Sequence, residues 1–363
     1  MDKTTLHALE HEIYVAHSIA NEVEAELLRF MQYGRRDECL CVVGPTGVGK
    51  SRMSKLLISK MVARLDGGWR QFNSYPLYIE APSQYKGEFP WRAFLEELLL
   101  LLGEVDLSRK IDLDYTEECK KSGGKGPSVN RLNIGQLERL IRLRVKVLKP
   151  VAIIIDEAQN LVEGLSYKDR KANVNRLKNW ANTMDTKFIL FGTHESREIL
   201  NLNEQLSRRI TPVYFPRYVK NTEEISEFAS FYLGLTQALD LNMSPKINKD
   251  FLFIYNHSLG CPGLLATWLY DSIAYCVSKK LTKISYETFV KNKFSKMRLM
   301  VMEKAIKNFE VEYHNSFADF NPDEVQADDL PDQLNMDFVE SKGQRGNPKP
   351  GKQHPTRYVT GEV

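Results

Sequence analysis

The stretch CVVGPTGVGKSRMSKLL, residues 41–57, decides the fold. An apolar run stops at Gly44, passes through Pro45, Thr46, Gly47, Val48 and Gly49 to Lys50 and Ser51, and resumes from Arg52 at helical spacing. Gly-x-x-x-x-Gly-Lys-Ser is the pattern of a phosphate-binding loop: backbone N–H groups wrap the anion, lysine reaches the outer phosphates, and the serine oxygen binds Mg²⁺. The anion then rests on a helix N-terminus. A structural glycine turn would share the glycines, but the flanks have the required order. ECLCVV before the loop reads as a buried strand, and the following helix aligns Met53, Leu56, Leu57, Met61 and Leu65. Residues 44–52 are therefore expected to cradle ATP, with Mg²⁺.

The whole chain bounds what such a loop can serve. Its 363 residues suffice for about two domains, and 42% hydrophobic with 27% charged residues is ordinary globular composition. No apolar stretch approaches the roughly 18 residues of a membrane span. The start, MDKTTLHALEHEIYV, lacks the basic and then apolar pattern of a secretory signal. Five cysteines without a C-x-x-C pair argue against a disulfide framework or a zinc site, which predicts a reducing cytoplasm. A net charge of +3 does not by itself announce a nucleic-acid binder.

Along the chain, residues 4–32 read as helical, with Val23, Leu27, Leu28 and Met31 on one face. Beyond the first strand, further strands are expected at 76–82, 151–156, 187–193 and 211–216. Helices are expected at 51–65, 90–102, 134–148 and 169–183. This alternation predicts an α/β fold: a five-stranded parallel sheet covered by helices. From about 222 the pattern becomes wholly helical, and after about 314 proline and acidic residues replace periodicity. The expected division is a helical segment over 1–34, a nucleotide-binding α/β domain over 35–221, a small helical domain over 222–314 and a disordered interaction tail over 315–363.

The second chemical element is VAIIIDEAQNL, a buried strand ending in Asp156 and Glu157. Asp156 is suited to hold the metal through its water shell, and Glu157 to orient and deprotonate the attacking water. The next strand, expected between the loop strand and the Asp156 strand, ends in LFGTHES. There Thr193, with His194 in reserve, is placed to hydrogen-bond the γ-phosphate or its water. Arg208 and Arg209 precede the last strand, where an arginine at a subunit edge can neutralise charge on a neighbour's γ-phosphate.

The order of Gly44 to Ser51, Asp156-Glu157, Thr193, Arg208-Arg209 and a helical lid resembles an AAA+ ATPase over about residues 13–280. Within that superfamily, CVVGPTGVGKS, IIIDEAQNL and ILFGTHES are most similar to the TniB/TnsC-type, MuB-like regulators of bacterial transposons. The resemblance implies an AAA+ P-loop NTPase that oligomerises in the ATP state as a ring or filament on duplex DNA. It also implies contact with a target selector, recruitment of a transposase, and release on hydrolysis. Two departures stand out. Lys50 and Asp156 are separated by more chain than a minimal core needs, and the lid stretch SLGCPGLLATW lacks a sensor arginine.

The extra chain suggests where DNA sits. Lys86, in QYKGEFPW, follows the second strand, and Arg109, Lys110, Lys120, Lys121 and Lys125 surround SGGKG. Lysines beside glycines suit sequence-blind phosphate contact, although acidic residues intervene in the second cluster. Tyr85-Lys86-Gly87 also admits a polypeptide-gripping motor, and an ATPase of signalling or secretion that works without DNA is the other alternative. In the tail, an acidic block at 319–340 interrupted by apolar residues suits a segment that orders on a partner, here the transposase.

Overall fold

The computed structural model describes residues 3–9, 14–35, 38–66, 75–104, 132–202 and 208–316. The expected DNA-contact residues Arg109, Lys110, Lys120, Lys121 and Lys125, and the expected tail beyond residue 316, lie outside the described residues. The chain divides into two units, Met1–Phe309 and Glu310–Val363.

Five parallel strands form the sheet: β1 (Cys39–Val43), β2 (Leu77–Glu80), β3 (Ala152–Asp156), β4 (Lys187–Gly192) and β5 (Ile210–Tyr214). Their order is β2-β3-β4-β1-β5, so β4 lies between the loop strand and the Asp156 strand, as the sequence predicts. Every residue of β1, β3 and β4 is buried, which explains their unbroken apolar runs. The edges differ. β5 carries Pro212, which has no N–H for a further ladder and is tolerated at an edge for that reason.

Among the described residues, seven helices accompany the sheet, the first of which packs on the lid: α1 (Lys3–His7), α2 (Ser18–Tyr33), α3 (Lys50–Asp66), α4 (Trp91–Leu101), α5 (Ile134–Leu148), α6 (Tyr167–Thr183) and the short α7 (Glu198–Asn201). Besides Asp156 at the end of β3, the exception to apolar strand burial is Lys187 in β4. Its ammonium donates to the Phe30 and Met31 carbonyls, at 2.8 and 2.6 Å, and so satisfies the C-terminal end of α2. After β5 come the lid helices α8 (Thr222–Ala238), α9 (Pro245–Lys249), α10 (Phe251–Ser258), α11 (Pro262–Ser278) and α12 (Tyr286–Lys291), then α13 (Lys296–Ser316). The lid centres on Trp268, whose ring stacks on Phe289 at 4.0 Å and whose indole N–H donates to the Phe289 carbonyl at 2.8 Å.

One expectation is corrected. Residues 4–32 do not form one helix, because residues 14–17 lie outside any helix before α2 begins. His17, at φ −142° and ψ 157°, caps α2 by accepting from the Ala20 N–H. Tyr14 and Val15 instead turn toward the lid, where Val15 packs beside Gly234 of α8. Burial against a distant element outweighs helical continuation here.

Candidate functional site

The loop after β1 is shaped by glycines at two left-handed positions, Gly47 (φ 87°) and Gly49 (φ 111°). Gly44 has a steric reason as well: a Cβ there would lie 2.3 Å from the Phe215 carbonyl oxygen, just after β5. Pro45 and Val48 are buried, whereas Thr46 and Ser51 are exposed. The Lys50 ammonium donates to the carbonyls of Gly44 and Pro45, each at 2.8 Å. Burial lowers its pKa to about 8, against the opposing pull of Glu157 and Asp156.

At the end of β3, Asp156 is buried. Its Oδ2 accepts from the Tyr78 hydroxyl at 3.0 Å and from Ser54 Oγ at 3.5 Å, and its Oδ1 accepts from the Glu157 N–H at 2.9 Å. Glu157 itself sits in the left-handed region at φ 52° and opens a short 3₁₀ turn, Ala158–Leu161. From that turn Gln159 donates its amide to Glu157 Oε2, and its Oε1 accepts from the Thr193 N–H at 3.1 Å. Two further elements thereby meet, because Thr193 caps the 3₁₀ turn His194–Arg197 after β4. The Thr193 hydroxyl donates to Glu195, and His194 Nε2 lies 3.1 Å from the same carboxylate. The His194 ring also packs on Phe309, with centroids 5.8 Å apart.

The structure thus brings Lys50, Ser51, Asp156, Glu157, Thr193 and His194 to the carboxyl ends of three adjacent strands. It keeps Arg208 and Arg209 away from them. Those two precede β5, and the Arg209 carbonyl accepts from the N–H of Cys39, at the opposite end of β1. The Arg209 guanidinium bonds Asn182 on α6. Lys86 forms the tip of a two-residue hairpin: Tyr85 and Glu88 exchange backbone bonds of 2.9 and 3.1 Å, with positive φ at Lys86 (55°) and Gly87 (78°). Lys86 and Tyr85 are both exposed, the ammonium 5.3 Å from the ring centre.

Several site features escape sequence reasoning. An apolar cavity of about 90 Å³ adjoins the loop between the N-terminal segment and the lid, lined by Tyr14, Val15, Val48, Phe215, Phe231 and Ala266 among others. Arg52 also lines it and donates to the Leu9 carbonyl at 2.9 Å. The lid reaches the loop through backbone, the Gly263 N–H donating to the Gly47 carbonyl at 2.7 Å. SLGCPGLLATW signals this only through its Pro-Gly helix start. Gln159 and Glu195 each stand two residues after an expected site residue, and that proximity is the one signal available for them.

Comparison with known proteins agrees with this geometry. Residues 33–200 match the family model of the AAA domain. The aliphatic sulfonates import ATP-binding protein SsuB 1 of Shouchella clausii (strain KSM-K16) is 23% identical over 202 residues, 54% of this chain and 73% of that protein. The Aeropyrum pernix ORC1 protein, solved in complex with DNA, superposes with a TM-score of 0.54 at 14% identity, covering 79% of this chain and 68% of that one. The ADP form of the Aeropyrum pernix ORC2 protein gives 0.52 at 11% identity, covering 94% and 97%. The fold is that of an AAA+ P-loop NTPase, and the protein is an ATPase of the AAA+ type. Among the described residues, no helix is long and apolar enough to cross a membrane.

Proposed function

We propose that this ATPase is a regulator of transposition that assembles on duplex DNA in its ATP state, recruits or activates a transposase, and disassembles on hydrolysis. At the nucleotide site, the loop Gly44–Ser51 cradles the phosphates, Lys50 leaves its loop carbonyls for them, and the adjoining apolar cavity takes the base. Ser51 and Asp156 would hold Mg²⁺. One hydroxyl and one carboxylate suit an ion that keeps several waters and shares the phosphate oxygens. The metal would neutralise phosphate charge. Glu157 accepts the proton of the attacking water, and Thr193, with His194 beside it, meets the γ-phosphate. Arg208 and Arg209 serve a neighbouring copy, since they lie at the far end of their own sheet.

The observation that carries the DNA reading is the hairpin after β2, which holds an exposed lysine at its tip. A lysine so placed neutralises a phosphate without reading a base. The transposition role rests on the likeness of CVVGPTGVGKS, IIIDEAQNL and ILFGTHES to TniB/TnsC-type regulators, and a target selector is the further partner it implies. The same hairpin supports a second reading, because Tyr85, 69% exposed, is an aromatic grip for polypeptide.

Sedimentation separates the two. With ATP, Glu157→Gln should form large assemblies on duplex DNA of any sequence and few without it. Lys86→Ala should weaken binding equally across sequences and flatten its salt dependence by about 0.9 in log–log slope for each phosphate that is no longer neutralised. Assembly indifferent to DNA would favour the protein-acting motor, or the signalling or secretion-associated ATPase.

A further inference from the structure

Gln159 is 7% exposed, and both ends of its amide are committed. The Thr193 N–H fixes which end is oxygen, so the NH₂ group faces the Glu157 carboxylate. Glu157 needs such a hold. Its backbone is already turned into the left-handed region, and its three side-chain torsions would otherwise let the carboxylate sweep a wide arc. A misplacement of about 1 Å between base and water costs on the order of 10²-fold in rate.

We infer that Gln159 is a positioning residue for ATP hydrolysis, tying the Glu157 carboxylate to the Thr193 backbone so that the base and the γ-phosphate contact stay in register. The amide bridges two strand ends that have no other side-chain link between Glu157 and Thr193 among the described residues. Both polar ends of the amide are spent on Glu157 and Thr193. Its donor end aims the carboxylate, and its acceptor end anchors that aim to the backbone after β4 rather than to the Thr193 side chain. Because the acceptor end uses a backbone N–H, the tie does not depend on which side chain occupies position 193.

This inference rests on Glu157 being the base, and the test keeps the two ideas apart. In the full chain, Gln159→Met removes both bonds at similar volume. Gln159→Glu keeps the acceptor facing Thr193 and removes the donor facing Glu157. For both, kcat should fall roughly 10- to 100-fold, while the KM for ATP and the affinity for a fluorescent non-hydrolysable analogue stay within about threefold. Single-turnover hydrolysis then supplies the cycle: added to Glu157→Gln, Gln159→Met should cost less than about twofold more, because its target is gone. An equal fold loss in both backgrounds, or a rise in KM matching the fall in kcat, overturns the positioning role. Wild-type turnover in both Gln159 variants does so too. Wild-type turnover in Glu157→Gln instead removes the base reading on which the inference stands. Should Gln159→Met fail to fold, Gln159→Glu alone carries the same split and the same cycle.

Discussion

Lys50 and His17 show how burial sets charge in this protein. Lys50 is buried against its own loop, with its ammonium on two carbonyls, so in the proposed role nucleotide phosphates would replace existing bonds rather than fill an empty shell. Lys50→Ala should therefore abolish ATP binding in a titration, whereas Glu157→Gln should bind ATP and hydrolyse it only at a small residual rate, measurable in single turnover. Burial moves His17 in the same direction. Burial lowers its pKa to about 4, and its Nδ1 meets the Tyr218 hydroxyl at 2.9 Å while capping α2. The unfolded imidazole titrates near 6.5. Between those values the unfolded chain binds a proton that the folded chain does not, so stability is full above about pH 6.5 and falls as pH drops toward 4, by at most about 1.4 kcal/mol per pH unit. His17→Asn keeps a capping acceptor but cannot titrate. Its denaturant midpoint should fall less than the wild type's between about pH 6.5 and 4.5, the window those two pKa values bracket, and parallel curves would assign the acid sensitivity elsewhere.

Among the elements, α11 governs the site from outside it. Its first turn hydrogen-bonds the loop at Gly47, and Leu264 packs on the same glycine. A Cβ at Gly263 would stand 2.6 Å from the Gly47 carbonyl oxygen, so helix or loop must shift. Gly263→Ala should cost about 1–3 kcal/mol in stability, the usual penalty of overpacking. It should also weaken ATP binding markedly in calorimetry, because the phosphate loop is what moves. A variant with lowered Tm and unchanged affinity would show that the lid contact holds the fold and not the loop. The lack of a sensor arginine in SLGCPGLLATW is then less of a deficit, since this stretch meets the loop through backbone and an apolar side chain.

For the whole molecule, the role proposed for Arg208 and Arg209 is one that only a neighbouring copy could use. The five residues of β1, at about 3.3 Å each, put roughly 16 Å between their end of the sheet and the loop, beyond an arginine's reach. A Lys50→Ala chain binds no ATP but keeps its arginines, and an Arg208→Ala/Arg209→Ala chain has the converse defect. Mixed under conditions where they co-assemble, the two should recover part of the ATPase rate. No recovery would mean that these arginines do not complete a neighbour's site.

Much of this was legible in the chain itself, because it is local chemistry. The apolar runs of β1, β3 and β4 announce strands buried on both faces. Gly44 to Ser51 carries its phosphate chemistry within eight positions, and Asp156-Glu157 ends a strand by composition alone. What the tertiary structure decided depends on partners far away in sequence. The segment before α2 has helical periodicity, yet it breaks at 14–17 because Tyr14 and Val15 gain more by burial against loop and lid than another helical turn provides. The Gln159 bridge exists only because β3 and β4 are neighbours, and the Gly263 contact only because the lid folds back over β1. Periodicity and motif spacing report what a segment can form alone. Which backbone N–H meets which carbonyl across the core is set by the packing of the complete sheet and lid, and no local pattern carries that information.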